Sequence, residues 1–125
     1  MVNGWAIAHG RDRLPVDYLP PDGVVVEVDG EPVAAGWLYK SVGVGVAFLE
    51  HVHTRPRMTL KASRKAINLV IAYFQFNARE DDYGVILAHT TSALAREAVG
   101  MGFEVTGADR VAIAMRTGLA ERRAA

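Results

Sequence analysis

The chain has 125 residues, half of them hydrophobic and 22% charged, with 14 basic and 14 acidic side chains and no cysteine. Such a chain makes one domain around one core, and it is too apolar to stay disordered. The missing cysteines exclude disulfides, thiolate metal sites and a cysteine nucleophile, and the balanced charge speaks against a general nucleic-acid binder.

Residues 1–23 are weakly patterned. Trp5 to Ala8 reads as a short strand, and Pro15, Pro20, Pro21 and Gly23 then favour turns. Met1 to Gly10 lacks the basic start and apolar stretch of a secretory signal. Residues 24–28 are the β-branched run Val-Val-Val-Glu-Val. Asp29-Gly30 follows, a strong tight-turn signal because glycine tolerates positive φ. Val33 to Tyr39 is the return strand, with Trp37 expected in the core. A third strand runs from about Val44 to His53. Regular alternation puts Val44, Val46, Phe48, Glu50 and Val52 on one face and Gly45, Ala47, Leu49, His51 and His53 on the other.

The period then changes. Leu60, Ser63, Ile67, Val70, Ile71, Phe74 and Ala78 form one stripe of a helix of about five turns. Lys61, Arg64, Lys65, Asn68, Gln75 and Arg79 form the opposite stripe. Residues 85–89 make a short apolar strand. Thr90-Thr91-Ser92 supplies N-caps for a helix over Ala93 to Met101, and Gly102 caps its end. Phe103 to Val105 and Arg110 to Arg116 read as two further strands. The tail from Glu121 reads as a frayed helix or contact segment. No apolar run approaches the roughly 18 residues of a membrane helix. A strand-helix-strand passage over 44–89 favours a parallel pair with a crossover, and the remainder is antiparallel.

This order resembles the GNAT (N-acetyltransferase) fold, an α+β arrangement in which a mixed, mostly antiparallel sheet is flanked by helices, here with a shortened N-terminal region. The clearest stretch is GVILAHTTSALAREAVGMGFEV at 84–105, similar to a family region in which a strand meets a threonine-serine turn, a helix and a Gly-Phe pair, here Gly102-Phe103. The hairpin VVVEVDGEPVAAGWLY at 24–39 resembles the family's early hairpin, whose second strand carries a glycine. HVHTRP at 51–56 resembles the end of its central strand. The likeness covers about residues 24–116 of a single domain spanning 1–125. A narrower resemblance, carried by the basic helix start Lys61-Ala62-Ser63-Arg64-Lys65, is to small GNAT-like proteins of tailed phages, of the podophage internal virion type.

The resemblance implies acetyl-CoA as substrate and an amine as acceptor. The family's phosphate-binding pattern, Gln/Arg-x-x-Gly-x-Gly/Ala, falls at the start of the long helix. No glycine lies between Val46 and Tyr83, and two registers, 57–62 and 59–64, remain open. Arg57, Lys61, Ala62, Ser63, Arg64 and Lys65 are the candidate cofactor residues there, with Val52 and Thr54 at the strand end for the pantetheine arm. Arg55, Arg57, Lys61, Arg64 and Lys65 offer five positive charges, which attract phosphate or an acidic partner, or simply form a solvated face. A general base must be positioned to accept the amine proton. Glu50 and His53 are the candidates, with His51 beside them. The tyrosine that often serves the family as acid corresponds to Ala98. His51 and His53 have the spacing of a metal pair but no third ligand is evident, so no metal is expected.

Two functions fit these observations. The first is a GNAT-fold protein with degenerate acetyl-CoA motifs and a structural or accessory role in a phage virion or its assembly. The second is an active N-acetyltransferase. The first implies virion or assembly partners and a place in the host cytoplasm or the particle; self-association remains open. Neither calls for a membrane span.

Overall fold

The computed structural model describes residues 1–8 and 19–107. In chain order the elements are α1 (Val2–Ala8), β1 (Gly23–Val28), β2 (Glu31–Lys40), β3 (Val46–Thr54), α2 (Leu60–Glu80), β4 (Val85–Ala88) and α3 (Ser92–Gly100). The four strands form one sheet in the order β1-β2-β3-β4. The first two pairings are antiparallel and β3 pairs with β4 in parallel. The expected α+β class, with a mixed and mostly antiparallel sheet flanked by helices, is what the chain adopts. No helix among the described residues is long and apolar enough to cross a membrane.

The β1–β2 turn is the one Asp29-Gly30 demands. Both residues have positive φ, 52° and 79°, which suits a two-residue turn that follows the twist of the strands. Gly36, the glycine of the return strand, has a contact reason. A Cβ there would lie 2.9 Å from Val70 Cγ1 and 3.2 Å from Val52 Cγ2. The backbone of β2 therefore approaches α2 too closely for a side chain.

Helix α2 starts because Thr59 caps it, its Oγ1 accepting from the Ala62 N–H at 3.1 Å. It stops through a Schellman arrangement: Tyr83 N–H donates to Ala78 O and Asp82 N–H to Arg79 O, with Asp82 at φ 62°. The buried face is Ala66, Val70, Ile71, Phe74 and Ala78, packed against Ala34, Leu38, Ala47 and Leu49 of the sheet. Fully burying side chains such as Phe74, Ile71 and Val70 contributes about 1.5–3 kcal/mol each. Helix α3 ends the same way at Gly102, φ 102°, with Phe103 N–H donating to Ala98 O. This explains the Gly102-Phe103 pair: the glycine takes the left-handed position and Phe103 packs on the core. Lys40 ties the end of β2 to the start of β1 and to the end of α2, reaching Asp22 at 3.3 Å and bonding Asp81.

Several expectations need correction. Trp5 to Ala8 belongs to a helix, in which Trp5 is buried; α1 lies against β3. Trp37 is half-buried rather than a core anchor. The third strand starts at Val46, because Gly43, at φ 84°, turns the chain first. Leu60 is 68% exposed, since the first turn of α2 projects past the sheet. Phe103 to Val105 is not a strand. The expected strand at 110–116, the tail from Glu121 and the turn at Pro15 lie outside the described residues.

Gly36→Ala should lower folding stability by about 1–3 kcal/mol, the cost of overpacking. The same substitution beside Val70→Ala should cost less than the two single changes summed. Chemical denaturation of the four proteins checks both statements. Simple additivity would remove the proposed contact.

Candidate active site

The central irregularity is in β3. Going from Ala35 to Trp37, β2 advances two residues, while its partner advances three, from His53 to Glu50. The extra residue is a bulge, and His51 occupies it with φ 57°. Holding a non-glycine residue there costs on the order of 1 kcal/mol. The bulge reverses the side-chain alternation beyond it. Ala47 and Leu49 face α2, and after the bulge Val52 does too, as its contact with the Gly36 position shows. His53, paired with Ala35, turns to the opposite face and is buried. Regular alternation had put Val52 and His53 on the reverse sides; the bulged His51 carries no glycine to mark it.

The parallel β3–β4 ladder runs from Val46/Val85 to Leu49/Ala88 and stops. Beyond it the strands part. The next residues on the two strands, Glu50 and His89, meet at the apex of the fork, with Nδ1 of His89 3.7 Å from Oε1 of Glu50. Burial raises the Glu50 carboxyl above the usual glutamate value, and a charged His89 works against that rise. Burial lowers His51, whose ring meets Tyr39 edge-on at 5.7 Å. Burial, and then the Glu50 charge, raise Tyr39.

On the α2 side of the fork lies a cleft of about 300 Å³. Its walls are the end of β3 (Val52 to Thr54), the first two turns of α2 (Leu60, Ser63, Arg64, Ile67) and the start of α3. Thr91 caps α3 here, its Oγ1 accepting from Leu94 N–H. Of the candidate cofactor residues, Val52, Thr54, Ser63 and Arg64 line this cleft. Lys61, Ala62 and Lys65 are exposed on the same helix end, and Arg57 sits in the preceding turn at φ 66°. Leu60 lines the mouth without plugging it. Arg64 Nε reaches across to Glu97 Oε1 of α3 at 2.8 Å. Of the two candidate bases, Glu50 stands at the fork and His53, though buried, forms part of the cleft wall between Val52 and Thr54.

The first-turn N–H groups of a helix and its dipole favour anions; here Thr59 Oγ1 takes the Ala62 N–H, and five basic residues occur within 55–65. A cleft of this kind suits a phosphate-bearing chain threaded toward the fork. No group of three or more metal-ligating side chains occurs among the described residues.

Solved structures share this architecture. An acetyltransferase-like Staphylococcus aureus protein of unknown function superposes with a TM-score of 0.69 at 13% identity, covering 92% of this chain and 90% of its own. The aminoglycoside N-acetyltransferase AAC(6')-Iy, in complex with CoA, gives 0.52 at 20% identity over 75% and 74% of the two chains. The chain has the GNAT fold. A Thermus thermophilus protein, TTHA1254, matches at 0.67 and 11% identity, over 92% of this chain and 88% of that one. No protein-family model matches the sequence, and no curated protein does. The GNAT fold is therefore established by shape, at identities where sequence alone is nearly silent.

Sequence reasoning missed His89. Only the β3–β4 register places it opposite Glu50, four residues after Val85 as Glu50 is four after Val46. It also missed Glu97, whose pairing with Arg64 joins two helices distant in sequence.

Because His51 resists protonation in the folded state, its stabilising contribution is complete above the ordinary value of 6.5 and is lost as pH falls from there through the lower folded value. His51→Asn keeps a residue suited to positive φ. The variant should lose less stability than the parent on acidification from neutral pH, by at most about 1.4 kcal/mol per pH unit. Parallel stability curves on urea denaturation would contradict this.

Proposed function

We propose that the chain is an N-acetyltransferase that moves an acetyl group directly from acetyl-CoA to a primary amine. The observation that carries this reading is the fork: the β3–β4 ladder ends at Leu49/Ala88, next to the bulge in β3 and beside a capped, basic helix start, and a half-buried carboxylate stands at the apex. In this reading the backbone of Val52 to Thr54 guides the pantetheine arm, and the first turn of α2, with Ser63 and Arg64, faces the pyrophosphate. Arg57, Lys61 and Lys65 add attraction at longer range, and Ala62 keeps the helix start slim. AAC(6')-Iy binds CoA in the same fold, which supports acetyl-CoA as the substrate.

Glu50 accepts a proton from the incoming ammonium. The freed nitrogen lone pair attacks the thioester carbonyl carbon. The C–S bond then breaks, its electron pair leaving on sulfur, and the nitrogen loses its second proton. Glu50 releases its proton to solvent, so the net products are the amide, the thiol and one proton. A raised Glu50 pKa brings the base nearer to neutral pH, where such transfer is most efficient. Ala98 provides no acid. Tyr83 donates to Ser41 O and Tyr73 is exposed on α2, so neither serves. A thiol with an ordinary pKa near 8.5 leaves as thiolate and takes its proton from water. His53, buried in the cleft wall, stands second to Glu50 as base.

A second reading is a non-catalytic assembly role. It is favoured by an exposed apolar stripe on α2: Leu69, Tyr73 and Phe76, at 53%, 44% and 61% exposure. Such a stripe suits a protein partner or self-association. Its phage and virion setting rests on the sequence resemblance alone, as does the degeneracy of the phosphate motif.

Acetyl-CoA should raise the melting temperature, with about 2.7 kcal/mol of added stability at one hundred times its Kd. Glu50→Gln should keep that stabilisation and lower kcat about a hundredfold. No thermal shift at millimolar acetyl-CoA would defeat the enzyme and leave the assembly reading.

A further inference from the structure

The sheet face turned away from α2 carries a row of side chains that the cofactor cleft does not use. Gly36 and Leu38 face α2, so Trp37 and Tyr39 face away. Their direct cross-strand partners are Glu50 for Trp37 and Phe48 for Tyr39. Trp37, Tyr39, Phe48 and Glu50 therefore form one contiguous block, two by two, immediately before the bulge. All four are half-buried. The Trp37 indole leans over Gly23, where a Cβ would stand only 2.5 Å from Nε1. The missing side chain of Gly23 is what lets the ring lie down on the sheet. His51 closes the Tyr39 side and His89 the outer side of Glu50. Among the described residues around this block the only carboxylate that meets it is Glu50. The nearest lysine, Lys40, is engaged by Asp22 and Asp81.

We infer that this block is the acceptor subsite and that the acceptor is a hydrophobic primary amine, cationic in solution, whose ammonium meets Glu50 while its apolar body lies on Trp37, Tyr39 and Phe48. The inference rests on the acetyltransferase reading. Three aromatic side chains beside one partly desolvated carboxylate offer what such a molecule needs. Ring faces attract an ammonium and cover an apolar group, and the carboxylate both pairs with the charge and takes the proton that must leave. A polar amine, such as an amino sugar or ethanolamine, would set its hydroxyls largely against ring faces, with only the Trp37 indole N–H and the Tyr39 hydroxyl on the three rings able to replace lost water. Position agrees with chemistry. Glu50 is the last residue before the strands part, so an amine held there sits at the opening through which the acetyl group arrives from the α2 side.

The test is binding of phenethylamine to the intact chain, by calorimetry, with and without CoA. Ethanolamine serves as the polar primary amine and toluene as the uncharged apolar body. Phenethylamine should bind at least tenfold more tightly than either. Glu50→Gln and Tyr39→Leu should each weaken it about tenfold or more, and Val42→Ser, fully exposed in the turn between β2 and β3, should leave it unchanged. Trp37→Leu adds a second probe of the aromatic wall. Circular dichroism melts confirm that each variant is folded, and Tyr39→Phe, which keeps the ring, should retain binding where Tyr39→Leu loses it. Equal affinity for ethanolamine, no binding with or without CoA, or binding insensitive to Glu50 and Tyr39 would overturn the inference. Amine binding is read without turnover, so its failure is distinct from failure of acetyl-CoA to stabilise the chain.

Discussion

The site depends on one backbone irregularity, the extra residue at His51. Without it, β3 would keep its ladder register with β2, and nothing would redirect the strand as it leaves the parallel ladder with β4. The bulge changes two things together. It turns Val52 toward α2, where that side chain packs near Gly36 and Val70. It also leaves Glu50 at the point where β3 and β4 separate. A left-handed residue without glycine costs free energy. Here burial of Val52 against the core and the edge contact with Tyr39 offset it.

The core between α2 and the sheet holds this geometry. Helix α2 is clamped by Thr59 at its start and by the Schellman turn at Asp82. Its middle is pressed onto β2 so closely that Gly36 has no room for a methyl group. The first turn projects past the sheet, so Leu60, Lys61 and Ala62 are exposed, as are Arg64 and Lys65 just beyond it, while packing on the core begins at Ala66. Basic residues can occupy that end at little cost to stability. The Arg64–Glu97 pair then links α2 to α3 across the cleft. With Arg64 more than half exposed, the pair adds little stability and acts chiefly on the charge of the cleft.

Much of the fold was legible because local chemistry and pattern agreed. Asp29-Gly30 dictated the hairpin, the stripe from Val70 to Ala78 dictated the helix, and Thr91 and Gly102 bracketed α3. The short α1 was misread because seven residues give no clear period, and its burial comes from Trp5 meeting the rest of the fold. The bulge was hidden because its residue is a histidine in a strand-like run. That hid the true facing of Val52 and His53. Glu50 was found from its place near a strand end. His89 was not, because its partnership is a matter of parallel register between strands separated by a helix. The aromatic block on the far face was equally invisible, since Trp37 and Glu50 become neighbours only once the register shift between Ala35 and Trp37 is known.

The central claim is that the parted strands β3 and β4 and the start of α2 form an acyl-CoA cleft. The most direct measurement is backbone amide NMR during titration with CoA. The account predicts that the amides of Val52 to Thr54 and Leu60 to Arg64 shift together and saturably, with those of β1 unmoved. Saturable shifts that avoid both segments, or no shifts at all, would contradict it.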